Sequence, residues 1–234
     1  MRNDDLHQSV NDFLEKGYCF LYSVSEFSQI YRRAQNLVKR FNELEKDVKE
    51  ALTDTRSQPP GKQQGYLERS NIVSGFRFTK GHELIVDQKN PNAYKWKRFL
   101  SDQRDIIDEV YEYAISPLVK TLSKKISDDQ LSSWVYENAK NTLEMYTYNK
   151  EKGGTCVRTG HIDKNILTLV LSPYAEGFWI NNEENMYLPN TEKMLIFAGK
   201  KMREKIPTIV PAEHGTRLRG DERNYNHTSL QFYI

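Results

Sequence analysis

The period of the apolar residues changes at Asn141, and that change constrains the fold more than any other feature of the chain. Ahead of it, apolar side chains recur at helical spacing. Beyond it, Leu143, Met145 and Thr147 alternate with Glu144, Tyr146 and Tyr148, the period of a strand. Further strand-like runs follow at Thr155–Val157, Ile166–Leu171, Gly177–Ile180, Lys193–Phe197, Thr208–Val210 and Ser229–Ile234. Short strands at intervals of about ten residues point to a sandwich or jelly roll. The expected class is therefore α+β: a double-stranded β-helix (jelly roll) with N-terminal and flanking helices.

The first part of the chain reads as mainly helical. Leu6, Val10, Phe13 and Leu14 predict a helix over 4–16, ended by Gly17 and followed by an aromatic strand at 18–22. Ser25 is placed to cap one long helix running to about Leu52, with its charged residues on a solvated face. Residues 53–64 carry loop chemistry. Short strands are expected at Gly65–Leu67, Gly75–Phe78 and Glu83–Val86. Helical spacing returns over 98–126, where Pro117 should kink or divide the helix. Asp128 or Asp129 could cap a further short helix through Trp134. With no linker or repeat in view, the expectation is a single domain over 1–234, mainly helical over 1–138 and a jelly-roll core over 139–234.

Composition narrows the class of partner. The 234 residues carry a net charge of +2, too little to favour nucleic acid or an anionic membrane. No apolar run approaches the roughly 18 residues of a membrane span, and no basic-then-apolar leader opens the chain. Cys19 and Cys156 form neither a disulfide framework nor a metal motif, and read as buried small hydrophobes in a reducing cytoplasm.

Chemistry enters at Gly160-His161-Ile162-Asp163, which runs straight into the apolar stretch Ile166–Leu171. Residues two apart on an extended segment point the same way. His161 and Asp163 thus make two corners of a metal site, and His214 in Pro211-Ala212-Glu213-His214 is the candidate third. The spacing His-x-Asp by itself also occurs in ordinary surface loops. Two histidines and one carboxylate on one side of a metal leave the opposite positions open, the facial arrangement of non-haem Fe(II) oxygenases.

Several segments together resemble the Fe(II)/2-oxoglutarate-dependent oxygenase superfamily, of the isopenicillin N synthase-like type. Leu14–Leu21 resembles the family's N-terminal strand, and Leu143–Asn149 resembles its Asn-x-Tyr-Pro strand with Tyr148 on the tyrosine. Gly160–Leu171 resembles the ligand strand, and Gly177–Ile180 and Leu195–Gly199 resemble the strands that follow it. Ile209–His214 resembles the strand of the distal histidine. The resemblance implies Fe(II) held by His161, Asp163 and His214, with 2-oxoglutarate and dioxygen as co-substrates.

One departure stands out. The family carries Arg-x-Ser on its last strand to hold the far carboxylate of 2-oxoglutarate. Here the register reads His227-Thr228-Ser229. An imidazole lacks the fixed positive fork of a guanidinium. Either His227 is held protonated, with Ser229 and Tyr148 donating hydroxyls, or another arginine substitutes, or 2-oxoglutarate is not used. Arg223 shares strand parity with His227 but lies about 13 Å away along a strand. Arg158 is out of parity with His161. Arg77 and His82 could line the mouth of the site, with nothing in the sequence to single them out. Many relatives continue into a helix that covers the site. Here any cover is expected from the loops at 53–75 or 181–192.

The resemblance implies hydroxylation, desaturation or cyclisation of a small-molecule substrate, while charge, hydropathy and cysteine usage point to neither nucleic acid nor membrane as partner and to the cytoplasm. Two other readings stay open: a 2-oxoglutarate-independent Fe(II) oxidase on the same fold, and a non-catalytic jelly-roll binding protein.

Overall fold

The computed structural model describes residues 3–22, 25–51, 65–68, 73–80, 93–139, 141–148, 157–170, 178–181, 193–217 and 227–233. Helix α1 (Asn3–Lys16) leads into strand β1 (Tyr18–Tyr22), then α2 (Ser25–Asn42) and α3 (Lys46–Ala51). A hairpin follows, β2 (Gly65–Glu68) and β3 (Val73–Thr79), then α4 (Ala93–Val110), α5 (Ser116–Ile126) and α6 (Leu131–Asn138). The second part holds β4 (Thr142–Tyr148), β5 (Val157–His161), β6 (Leu167–Val170), β7 (Phe178–Ile180) and β8 (Lys193–Ala198). It ends with α7 (Lys200–Lys205), β9 (His214–Arg217) and β10 (His227–Tyr233).

All described ladders are antiparallel. Among the described residues they form a seven-stranded sheet, β1-β8-β6-β10-β4-β3-β2, and a three-stranded sheet, β5-β9-β7. The α+β character expected from the sequence is what the chain adopts.

Alternation along the large sheet divides its side chains between two cores. Phe76, Phe78, Leu143, Met145, Leu169 and Ile196 join the helices in the main apolar cluster, with Phe13, Leu37, Phe41 and Phe99. Phe76 and Phe99 meet edge to face at 5.3 Å. On the opposite face, Tyr18, Val170, Leu195 and Phe197 pack with Phe178 and Ile180 of the small sheet. The space between the two sheets is therefore floored by residues out of phase with the helix-facing set.

Several local expectations need correction. The single long helix to Leu52 is two helices, α2 and α3, broken over 43–45. The apolar spacing runs through the break because Leu44 and Val48 pack on the same core as α2, and Lys49 Nζ donates to the carbonyl of Asn42 at 3.2 Å. On the solvated face, Arg33 and Arg40, 39% and 41% exposed, reach Glu109 and Asp102 of α4.

The helix over 98–126 divides ahead of Pro117 as a π-helical turn at Tyr111–Ile115. Pro117 has no amide to donate back to Tyr113, and the Ser116 amide bonds the Tyr111 carbonyl instead. Asp128 accepts from the Gln130 amide in the preceding turn, and α6 runs on past Trp134.

The strand expected at 208–210 is absent. Pro207 and Pro211 lack amides for a ladder, and pairing starts at His214. Helix α7 was not foreseen, although Gly199 followed by Lys-Lys-Met-Arg-Glu-Lys is a helix start in composition. The strand at 83–86, His82, Cys156 and Arg223 lie outside the described residues, as do most of 53–75 and 181–192. Cys19 is buried as expected, and that burial, with the charge of Asp12, pushes its thiol well above the ordinary range.

Candidate metal centre

Ladder register puts two imidazoles side by side. In the small sheet His161 of β5 pairs with His214 of β9, which pairs with Ile180 of β7. Directly paired residues share a face, and the two rings stand 4.3 Å apart between centroids. A bulge between Arg158 and His161 shifts the register just before the site, so parity counted from Arg158 does not carry through.

The other face of the small sheet shows why glycine precedes His161. Trp179 pairs with Gly215, and a Cβ on Gly160 would lie 2.5 Å from its ring and from Glu213 Oε1. The indole lies across a strip without side chains, behind the two histidines.

Asp163 sits just past the end of β5. Its carbonyl accepts from the Lys200 amide at 2.8 Å, which ties the ligand loop to the start of α7. The carboxylate lies between the imidazoles: His161 Nε2 is 3.4 Å from Oδ1 and His214 Nε2 is 3.7 Å from Oδ2. Thr168 Oγ1 donates to Oδ2 at 2.6 Å, and Asn165 Nδ2 donates to Thr168 Oγ1 at 2.8 Å. Burial would raise the Asp163 carboxyl. The hydrogen bond from His161, the charge of His214 and the Thr168 hydroxyl outweigh it and hold the group below the usual carboxylate range.

His214 is oriented from behind. Its Nδ1 is 3.3 Å from the Ala212 carbonyl; a proton on Nδ1 donating there leaves the Nε2 lone pair facing the site. Phe197 packs on the ring at 4.4 Å and Phe178 at 6.0 Å. Asn181 secures the approach, since the Glu213 amide donates to its Oδ1 at 3.0 Å and its Nδ2 donates to the Lys16 carbonyl at 2.9 Å.

His161, Asp163 and His214 each offer one ligand atom, and these atoms lie within 4.8 Å of one another. Two neutral imidazoles and an ionised carboxylate suit a first-row divalent metal. His161 keeps a side-chain exposure of 30%, against 9% for Asp163 and 3% for His214, so the group opens on the His161 side.

The remaining predicted residues are placed by backbone alone. His227 of β10 pairs with Tyr148 of β4, and Ser229 pairs with Tyr146. Sequence reasoning missed Thr168, Asn165 and Asn181. A polar residue at alternation inside the apolar run Leu167–Val170 was the available signal for Thr168. Among the described residues no helix is long and apolar enough to cross a membrane.

No family model matches the sequence, and no curated protein matches it. Solved structures do match the fold. Neurospora crassa T7H in complex with alpha-KG aligns at TM-score 0.73 and 13% identity, covering 99% of this chain and 79% of that one. The Arabidopsis thaliana dioxygenase for auxin oxidation, bound to 2-oxoglutarate, aligns at 0.65 and 15%, covering 100% and 90%. JOX2 in complex with 2OG, Fe and JA aligns at 0.68 and 16%, covering 97% and 70%. At such identities the likeness is one of fold, and this chain shares that fold over nearly its whole length.

Proposed function

We propose that this protein is a non-haem Fe(II) oxygenase that uses 2-oxoglutarate and dioxygen to oxidise a small molecule. The observation that carries the reading is the meeting of His161, Asp163 and His214 from two strands and a loop. The fold likeness to structures with 2-oxoglutarate bound, two of which are described as acting on auxin or as holding JA, supports it. In this reading the two facing sheets are a double-stranded β-helix, residues 1–234 act as a single oxygenase domain, and the protein works in the cytoplasm.

His161, Asp163 and His214 would hold the ferrous ion. Once bound, iron with 2-oxoglutarate supplies oxidising power drawn from dioxygen, with succinate and carbon dioxide as co-products. The chain's own part is positional. Thr168 occupies one oxygen of Asp163 and keeps the other turned to His161. The Ala212 carbonyl fixes the tautomer of His214, and Phe197 and Phe178 keep water from its ring. Ser229, His227 and Tyr148 stand on adjoining strands as candidates for the co-substrate, with Arg223 as a further one from the sequence.

Anaerobic titration with Fe(II), with and without 2-oxoglutarate, tests this through the metal-to-ligand charge-transfer band. A band that requires both components, and that His214→Ala abolishes, is expected. Oxygen uptake with no such band would favour the 2-oxoglutarate-independent oxidase. Failure of the protein to bind Fe(II) would remove the reading.

A further inference from the structure

Two of the three ligand carriers are tied to one short stretch, residues 198–201, where β8 ends and α7 begins. The first amides of a helix have no partner within it, and no side chain caps α7. Three successive amides turn instead to the loop that carries Asp163. Gly199 donates to the Ile166 carbonyl at 2.9 Å, Lys200 to the Asp163 carbonyl at 2.8 Å and Lys201 to the Asn165 carbonyl at 3.2 Å. One residue earlier, the Ala198 carbonyl accepts from the Ala212 amide at 3.2 Å. Ala212 in turn presents its own carbonyl to His214 Nδ1. Four consecutive residues therefore hold the loop of one ligand and the approach to another.

Gly199 stands at the closest approach. Its backbone, at φ −93° and ψ −179°, is extended and open to any residue. Space, not conformation, accounts for the glycine. A Cβ there would lie 2.2 Å from the Asn165 carbonyl oxygen, 2.3 Å from Asn165 Oδ1 and 2.8 Å from the Asn165 carbonyl carbon. Two of these three are backbone atoms, which cannot turn aside as a side-chain end can. With a side chain in that gap, the loop and the three amides would have to part.

Asn165 passes such a displacement on by two routes. It lies two residues from Asp163 along the chain. Its Nδ2 also donates to Thr168 Oγ1, which donates to the Asp163 carboxylate.

We infer that Gly199 is a positioning residue for the metal centre: its missing side chain lets residues 199–201 grip the Asp163 loop where the carboxylate meets the two imidazoles. The inference rests on the oxygenase reading above, whose metal site it deepens.

The test titrates Co(II) into the metal-free protein and follows its ligand-field absorption, with urea midpoints measured alongside. Gly199→Ala adds the one carbon that the gap excludes. Lys200→Pro perturbs the same loop from the next residue. Position 200 is the first of α7, where proline suits a helix, and Gly199 ahead of it is already extended. The helix thus accepts the ring while the bond to the Asp163 carbonyl is lost. Lys200→Ala, which keeps the amide, is the reference for that variant. Ile107→Ala, fully buried in α4, calibrates what lost stability alone does.

Gly199→Ala and Lys200→Pro should each lose about ten- to hundred-fold in Co(II) affinity, as is typical for outer partners of metal ligands, with altered absorption. Ile107→Ala should lower the urea midpoint and keep the wild-type affinity and spectrum. Wild-type affinity and spectrum in Gly199→Ala and Lys200→Pro would overturn the inference and leave the oxygenase reading intact. So would losses no greater than their urea midpoints explain on the Ile107→Ala scale, failure of both to fold included, since the glycine would then serve the fold alone. A wild type that binds no Co(II) would overturn both.

Discussion

Thr168→Val tests whether one hydroxyl sets the geometry of the metal centre. Valine has nearly the shape of threonine, so the fully buried site gains no cavity. What disappears is the 2.6 Å bond to Asp163 Oδ2. A hydrogen bond to a carboxylate contributes about 1.5–3 kcal/mol. Asn165 Nδ2 is not orphaned, because it also donates to the Leu167 carbonyl at 3.0 Å. The loss therefore falls on Asp163, whose carboxylate becomes free to rotate and to offer either oxygen. Outer partners of metal ligands typically contribute about 10- to 100-fold in metal affinity. Co(II) titration, followed by its ligand-field absorption, should show that weakening with an altered spectrum. Thr168→Ser should restore both. If Thr168→Val unfolds at lower urea but binds Co(II) with wild-type affinity and spectrum, the hydroxyl supports the fold and does not position the ligand.

Gly17 lies at φ +76, and a Cβ there would stand 1.8 Å from the Val210 carbonyl oxygen. Gly17→Ala should destabilise by well over the roughly 1–2 kcal/mol of the left-handed conformation alone, measured by urea unfolding. It should also weaken metal binding, since the Pro211–His214 segment must shift. Gln103 is fully buried with neither amide atom hydrogen-bonded among the described residues; Gln103→Met should stabilise by about 1–3 kcal/mol, and a loss of stability would show that the amide has a partner. Asp163 titrates below its ordinary value. Its ionised form therefore stabilises the metal-free protein above the unfolded-state value of about 3.9, and that contribution fades as pH falls through the lower folded value. The stability difference between wild type and Asp163→Asn should shrink over that acid range; a difference constant with pH would contradict the shift.

Much of the site was legible because its signals are local. His161 and Asp163 are close in sequence and precede an apolar run whose period marks a strand. His214 was reachable only by the order of segments around it. Boundaries were less legible. The break between α2 and α3 is invisible to spacing, since both helices pack on one core. The tract 208–210 looks like a strand by side chain but is kept from pairing by prolines at 207 and 211.

The sequence by itself determined the α+β character, the alternation that gives each strand two faces, and the chemistry of the donor set. Those depend on periods and residue types within a few positions of each other. Tertiary structure alone decided that His161 stands opposite His214 and that Arg77 meets Glu144. Each of these depends on ladder register between strands far apart in the chain, and register is set by how whole faces pack, which no short stretch of residues encodes.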